Sequence, residues 1–186
     1  MFPNKINARL DRKLGILSCV ALCLVLTCAA YLGFKRWESN SYRGLIPPEV
    51  GVANALLIEG KSGFMEGCGV AIFRLTPQMR ERIKVQGLAA FDGSLDQKDH
   101  VRPSVERRRW QDEMRSWEET PYVETGDGTT MEDSWQVGFS CADQTSDLVR
   151  SITDALRQPG SFVRKLHEAA VVVVPALGVA AFVHNG

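Results

Sequence analysis

The longest apolar run of the chain lies near its N-terminus. Residues 14–34 read LGILSCVALCLVLTCAAYLGF and carry no charge. A helix needs about 20 such residues to cross the hydrocarbon of a bilayer. Basic side chains are denser before the run than after it, which favours a cytoplasmic N-terminus. We therefore expect a cytoplasmic tail at 1–13, a transmembrane signal anchor at 14–34, and an exported remainder.

A cleaved signal peptide is the competing interpretation of this run. The small residues of Thr27-Cys28-Ala29-Ala30 fit a cleavage site after Ala29 or Ala30. The apolar run nevertheless continues to Phe34, past the usual end of a signal core. We favour the uncleaved anchor, and the sequence leaves cleavage after Ala30 open.

The first half of the remaining chain alternates between strand and helix patterns. Residues 35–51 are polar and contain Pro47-Pro48, which predicts an extended linker. Strands are predicted at 52–59 and 68–75, the second apolar on both faces and therefore central in a sheet. Thr76-Pro77 predicts the start of a helix that Gly87 ends. A short strand is predicted at 88–91.

A charged insertion at 92–120 follows. Its second half contains a helical pattern behind Pro103, with an apolar stripe formed by Trp110, Met114 and Trp117. Arginines and aromatic residues often anchor protein interfaces. We therefore select a candidate partner-binding surface made by Arg108, Arg109, Trp110, Met114 and Trp117. A solvated helix is the simpler alternative for the same pattern.

The second half of the chain resembles the first in the order of its elements. A hairpin is predicted from 122–125 and 134–141, which would put Cys141 on a buried face. The clearest helix covers 144–158 and ends at Pro159-Gly160. The apolar tail predicts two strands bent at Pro175, with a second membrane helix at 169–183 as the alternative.

Together these elements predict an α+β protein. It consists of an N-terminal transmembrane helix and one small domain at 52–186, mainly antiparallel sheet with two or three helices. The element order is compatible with two similar ββαβ halves.

Charge and cysteine content narrow the classes of function. The formal net charge of the 186 residues is zero, so a nucleic-acid partner is not expected. Cys68 and Cys141 are the two cysteines outside the membrane run. In an oxidising compartment a lone pair of thiols tends to close, so we predict a Cys68–Cys141 disulfide.

Three motif matches weaken when their context is considered. Residues 55–62 (ALLIEGKS) fit a relaxed phosphate-loop pattern but read as a strand and turn. Ser140 lies in GFSCA, which approximates the G-x-S-x-G of a nucleophile elbow. Asp96, Asp99 and His100 are too generic for a metal site. We assign no catalytic residue, metal or cofactor.

The leading hypothesis is a non-enzymatic, single-pass envelope protein whose exported domain binds another envelope protein or a second copy of itself. In a bacterium it would lie in the inner membrane with a periplasmic domain. The alternative is a small envelope hydrolase that uses Ser140 or Cys68 as its nucleophile.

Overall fold

A computed structural model describes residues 5–62, 67–92, 116–121, 138–142, 146–166 and 169–185, without the side chains of residues 5–17, Ser62 and Leu166. The chain divides into two units, residues 1–40 and residues 41–186. The described part of the first unit is helical, and the second unit is an α+β domain. The predicted class of an apolar N-terminal helix followed by a mainly antiparallel domain is thereby confirmed.

Helix α1 covers Lys5–Arg43. Between Ser18 and Trp37 its apolar side chains face outward, with Leu24, Leu32 and Trp37 each 60% exposed or more. Burying such side chains is worth about 1.5–3 kcal/mol each, so a helix with this surface favours an apolar surrounding. The part at Ser18–Arg43 is long and apolar enough to span a membrane, although a signal sequence has the same properties.

The hydroxyl of Thr27, within this apolar stretch, is satisfied inside the helix. The Thr27 hydroxyl donates to the carbonyl oxygens of Cys23 and Leu24, at 2.9 and 3.0 Å. Such bonds remove the cost of an unpaired hydroxyl in an apolar medium. Lys35 and Glu38 pair at 2.8 Å where charged residues return.

The domain is built on one antiparallel sheet. Its strands are β1 (Val52–Ser62), β2 (Gly67–Leu75), β3 (Glu118–Glu119), β4 (Phe162–Leu166), β5 (Ala169–Val174) and β6 (Val179–Asn185). The described strands lie in the order β1-β2-β6-β5-β4-β3. The predicted central position of β2 is confirmed, because it pairs with β1 on one side and β6 on the other.

Both faces of the sheet are buried, which explains why β2, β5 and β6 are apolar at nearly every position. Helix α2 (Pro77–Gln86) and residues 44–51 cover the face that we call the front. Helix α3 (Asp147–Leu156) and residues 138–142 cover the back. The registered pairs place Phe73, Ala180, Val173 and Phe162 in one row on the front, and Ile72, Ala181, Val172 and Val163 in the next row on the back.

Helix α2 begins and ends as its sequence predicts. The Thr76 hydroxyl accepts a hydrogen bond from the Met79 amide at 3.2 Å, and Pro77 fills the first helical position. Met79 and Ile83 are buried against the front of the sheet. Gly87 ends the helix with a φ of 58°, a conformation that favours glycine.

Residues 88–91 were predicted as a strand, and this is wrong. Gly87–Phe91 forms a 3₁₀ helix that buries Ala90 and Phe91. A short apolar run cannot distinguish a strand from a helical turn, and here the segment packs beside α2 on the front of the sheet instead of pairing as a strand. The two ββαβ halves are therefore not confirmed, because the first half lacks its closing strand.

The predicted linker at 35–51 also differs from the structure. Helix α1 continues to Arg43, since nothing between Lys35 and Arg43 breaks a helix. Residues 44–51 then pack onto the domain, with Ile46, Glu49 and Val50 buried. The diproline shapes a turn, closed by a 3.0 Å bond from the Val50 amide to the Pro47 carbonyl, rather than an extended tether.

The C-terminal region contains the expected helix but one strand more than predicted. Helix α3 lies within the predicted 144–158. The tail forms β4, β5 and β6, with a turn at Pro175–Gly178 between the last two. Residues 169–174 and 179–183 are buried core strands, so the alternative of a second membrane helix at 169–183 is wrong.

The predicted strand at 134–141 is wrong where the structure describes it. Residues 138–140 form a helical turn, and Cys141 is half-buried. The remainder of that predicted hairpin, and the predicted helix at 103–119 as far as residue 115, lie outside the described residues.

Candidate functional site

Trp117 is the one member of the candidate partner surface within the described residues. Arg108, Arg109, Trp110 and Met114 lie outside them. Trp117 is half-buried, and its ring stacks on Phe91 with centroids 4.3 Å apart and an interplanar angle of 19°. Phe91 in turn makes an edge contact with Phe162 of β4 at 5.2 Å. Trp117 is therefore packed against the front of the sheet.

The indole N–H of Trp117 is also bonded, in addition to the stacking of its ring. Its indole Nε1 donates to Glu49 Oε1 at 3.0 Å. The same oxygen accepts a hydrogen bond from the Arg164 guanidinium, which lies 6.0 Å from the Trp117 ring centroid. A buried Trp usually needs such an acceptor, and the cation adds attraction to the ring.

Glu49 and Arg164 form an ion pair with limited access to solvent, their side chains being 12% and 21% exposed. Such a pair is favourable when extra hydrogen bonds satisfy its atoms, and the Trp117 bond supplies one. The pair joins the segment that follows α1 to strand β4. A second hydrogen bond runs from the Arg43 guanidinium, at the end of α1, to the Val52 carbonyl oxygen at the start of β1, at 2.6 Å.

Phe91 and Trp117 also define how the charged insertion joins the domain. Phe91 ends the 3₁₀ helix and Trp117 directly precedes β3, so the chain between them leaves and returns at one stacked pair. We call this pair the neck. Aromatic stacking of this kind contributes about 0.5–1.5 kcal/mol beyond area burial. The described ends of the insertion are thus fixed to the domain.

The back of the sheet carries the cysteine pair. Cys68 and Cys141 form a disulfide with their Cα atoms 5.9 Å apart, within the usual range and in agreement with the pairing predicted from sequence. It joins the first residues of β2 to the turn at 138–142. Gly138 lies so close to β6 that a Cβ there would meet Val183 Cγ1 at 2.0 Å.

This arrangement bears on the two proposed nucleophiles. The Cys68 sulfur is bonded to Cys141 and offers no thiolate. Ser140 is exposed beside Gly138 on the back of the sheet. His184 faces the front, where its ring stacks on Phe182 at 5.9 Å and lies over Gly69. The turn that carries Ser140 thus packs on the back of the sheet, whereas His184 faces the front, and His167 lies outside the described residues.

The candidate phosphate loop and the candidate metal site were also compared with the structure. Residues 55–62 lie in β1 and lead into β2, so the chain there does not form a phosphate loop. Among the described residues, no group of three or more His, Cys, Asp or Glu side chains is placed to hold a metal ion. Asp96, Asp99 and His100 fall outside that part of the chain.

Sequence reasoning missed Glu49, Phe91 and Arg164. Glu49 lies in the segment predicted as a linker, and Phe91 lies in the segment predicted as a strand, so neither pattern indicated a role in the core. Arg164 carried a usable signal, because it occupies an alternating position in the apolar strand pattern FVRKL and so must face the core side of the sheet. A charge at such a position indicates a buried partner of opposite sign.

Comparison with known proteins adds nothing to this geometry. No protein-family model, curated protein or solved structure matches the chain.

Proposed function

We propose that this chain is a single-pass membrane protein whose exported domain binds another envelope protein through its charged insertion. Residues 14–34 act as an uncleaved anchor, with 1–13 in the cytoplasm and the domain at 52–186 on the far side. In a bacterium this places it in the inner membrane with a periplasmic domain. The domain acts as a binding module and not as an enzyme.

The neck is the observation that carries the binding proposal. A segment rich in arginine and tryptophan leaves and returns at one stacked pair, Phe91 and Trp117. Binding residues are often carried on such excursions from a rigid scaffold. The core behind them is closed on both faces, and its described charged groups serve the fold. Recognition is therefore assigned to Arg108, Arg109 and Trp110, with Met114.

The anchor is supported by the exposed apolar surface of α1. The stretch stays apolar and helical through Ala30, where a signal peptidase would cut. The disulfide supports export, since such bonds persist mainly in oxidising compartments.

Crosslinking in intact cells tests the binding role. The native chain is compared with one in which Arg108, Arg109, Trp110 and Met114 are replaced by alanine. The matched control carries alanine at Gln78, Lys84 and Val85, three exposed positions on α2. We expect a defined heterologous adduct with the native and control chains, and at least tenfold less with the insertion variant. An adduct that survives the insertion changes contradicts the proposal.

Two further measurements test the topology and the alternative. A reporter active only outside the cytoplasm, fused after Gly186 through a flexible linker, should be active, and the chain should stay in the membrane through a carbonate wash. Reaction of a serine-directed probe, abolished by Ser140→Ala, would favour the hydrolase instead.

A further inference from the structure

The Cys68–Cys141 bond lies at one end of the sheet and not in its core. Cys68 is the second residue of β2, and Cys141 belongs to the turn at 138–142. Both residues are half-buried, whereas the β2 residues from Gly69 to Phe73 are buried. Disulfides that solvent can reach exchange with other thiols more readily than those in a core. The position of the bond therefore suits attack by an external thiol while the domain stays folded.

The strands on both sides of β2 place polar side chains next to Cys68. Lys61 of β1 and Asn185 of β6 are each registered directly opposite it. Residues opposite each other in an antiparallel pair project from the same face, with Cβ atoms about 4.5–5.5 Å apart. Since the bond to Cys141 lies on the back of the sheet, Lys61 and Asn185 project there too. Cys68 thus lies in one row between a cation and an amide, both of them exposed.

This row makes the two sulfurs unequal. When a thiol attacks a disulfide, the displaced sulfur leaves as a thiolate, and it leaves faster when that thiolate is stabilised. A neighbouring ammonium group stabilises a thiolate, and at about 6 Å its attraction corresponds to about a threefold effect even at the dielectric constant of water. The turn at 138–142 carries no charged side chain. Cys68 is therefore the favoured leaving group, and Cys141 is the sulfur that is attacked.

We propose that the Cys68–Cys141 bond is a thiol–disulfide exchange site whose partner is a dithiol protein of the same compartment. A thiolate of the partner attacks the sulfur of Cys141, the bond between the two cysteines breaks, and Cys68 takes the electron pair. The second thiol of the partner then displaces Cys141. The partner ends as a disulfide, and its two electrons and two protons are carried by Cys68 and Cys141.

Packing of the turn makes this exchange reversible. Phe139 and Ala142 are buried in the core on the back of the sheet, and Gly138 lies directly against β6. These contacts involve neither sulfur atom. They hold the turn beside β2 after reduction, so the two thiols stay close and the bond can form again. The bond thus acts as a link that opens and closes, and its opening lowers the stability of the domain without unfolding it.

Trapping the intermediate tests which sulfur is attacked. The purified full-length chain in mild detergent is treated with glutathione, which has one thiol, and free thiols are then blocked at once with a maleimide. Mass spectrometry of the peptides shows which cysteine carries glutathione. We expect glutathione on Cys141 and maleimide on Cys68 in about three-quarters or more of the trapped molecules.

Charge changes at Lys61 test the cause of this preference. Lys61→Gln removes the cation and Lys61→Glu reverses it, so dithiothreitol should reduce the bond about threefold and about tenfold more slowly. The differences should shrink in 1 M salt, where the Debye length falls to about 3 Å. Lys84→Glu is the matched control, because this exposed lysine lies on α2 at the opposite face of the sheet, and it should leave the rate unchanged.

The proposal is overturned by any of three results. Glutathione mainly on Cys68 reverses the assigned roles, and equal rates for Lys61→Glu and Lys84→Glu remove the role of the cation. Reduction only as fast as the whole domain unfolds makes the bond a structural link alone. The trapping result needs no variant, so it decides the roles even if a substitution lowers stability. All rates are measured on the purified chain, so they are independent of whether the insertion binds a partner.

Discussion

The disulfide offers the clearest quantitative prediction. Cys68 and Cys141 are separated by 73 positions, and closing a loop of that length lowers the entropy of the unfolded chain by an amount worth about 4 kcal/mol. Replacing either cysteine by serine should therefore destabilise the domain by about 3–4 kcal/mol, allowing for residual structure in the unfolded state. For a domain of this size that corresponds to a fall in melting temperature of about 10 °C.

The assay is thermal unfolding of the full-length chain in a mild detergent. Cys68→Ser, Cys141→Ser and the double variant should melt at nearly the same temperature, because either single change already opens the loop. Cys28→Ser is the matched control, since this free cysteine lies on the exposed surface of α1. A reductant should move the native chain to the melting temperature of the variants and leave the variants unchanged.

Two outcomes would refute the reasoning. If the native chain reacts with a maleimide at Cys68 without reduction, the bond is absent. If the double variant is less stable than either single variant by more than about 1 kcal/mol, the cysteines contribute independently and not as one link.

Three smaller predictions can be checked by chemical denaturation. Glu49→Ala leaves Arg164 and Trp117 without their shared acceptor and should cost about 2–4 kcal/mol, with Glu49→Gln losing less because an amide still accepts one bond; equal losses would mean that the retained amide acceptor contributes nothing to stability. Thr76→Ala removes the cap of α2 and should cost about 1 kcal/mol, whereas Thr76→Ser should cost little. Gly138→Ala should cost about 1–3 kcal/mol by forcing a Cβ into Val183, and adding Val183→Ala should recover part of that loss.

The sequence was informative wherever one local signal dominated. Thr76-Pro77 and Gly87 mark both ends of α2, because capping and a positive φ impose definite residue types. The apolar stripe of α3 and the two apolar faces of β2 were equally direct. The length of the uncharged run at 14–34 was enough to identify the apolar part of α1.

The errors arose where tertiary contacts decide the conformation. Residues 88–91 are apolar enough for a strand, but their position after the Gly87 reversal makes them a 3₁₀ turn against the front of the sheet. Residues 44–51 look like a tether, yet Ile46 and Val50 complete the core and Glu49 finds Arg164. Neither contact is encoded by neighbouring residues, so no local pattern could reveal it.

The candidate site was predicted only in part for the same reason. The pairing of Cys68 with Cys141 followed from elimination, since these were the two cysteines outside the apolar run. The position of Trp117 could not be predicted in this way, because its ring stacks on Phe91, which lies at the other end of the charged insertion. An aromatic stripe by itself does not say which ring anchors the segment and which is offered to a partner.

The order of strands in the sheet has a consequence for biosynthesis. β6 lies between β2 and β5 and pairs with both, yet it follows both of them in the chain. During synthesis the side of β2 that will pair with β6 is without its partner strand. The valine-rich β5 is likewise made before β6, its neighbour in the sheet. Strands of high β-propensity without charge are prone to aggregate in that interval. The described sheet can therefore close only after β6 has been synthesised, because β2 and β5 both pair with it.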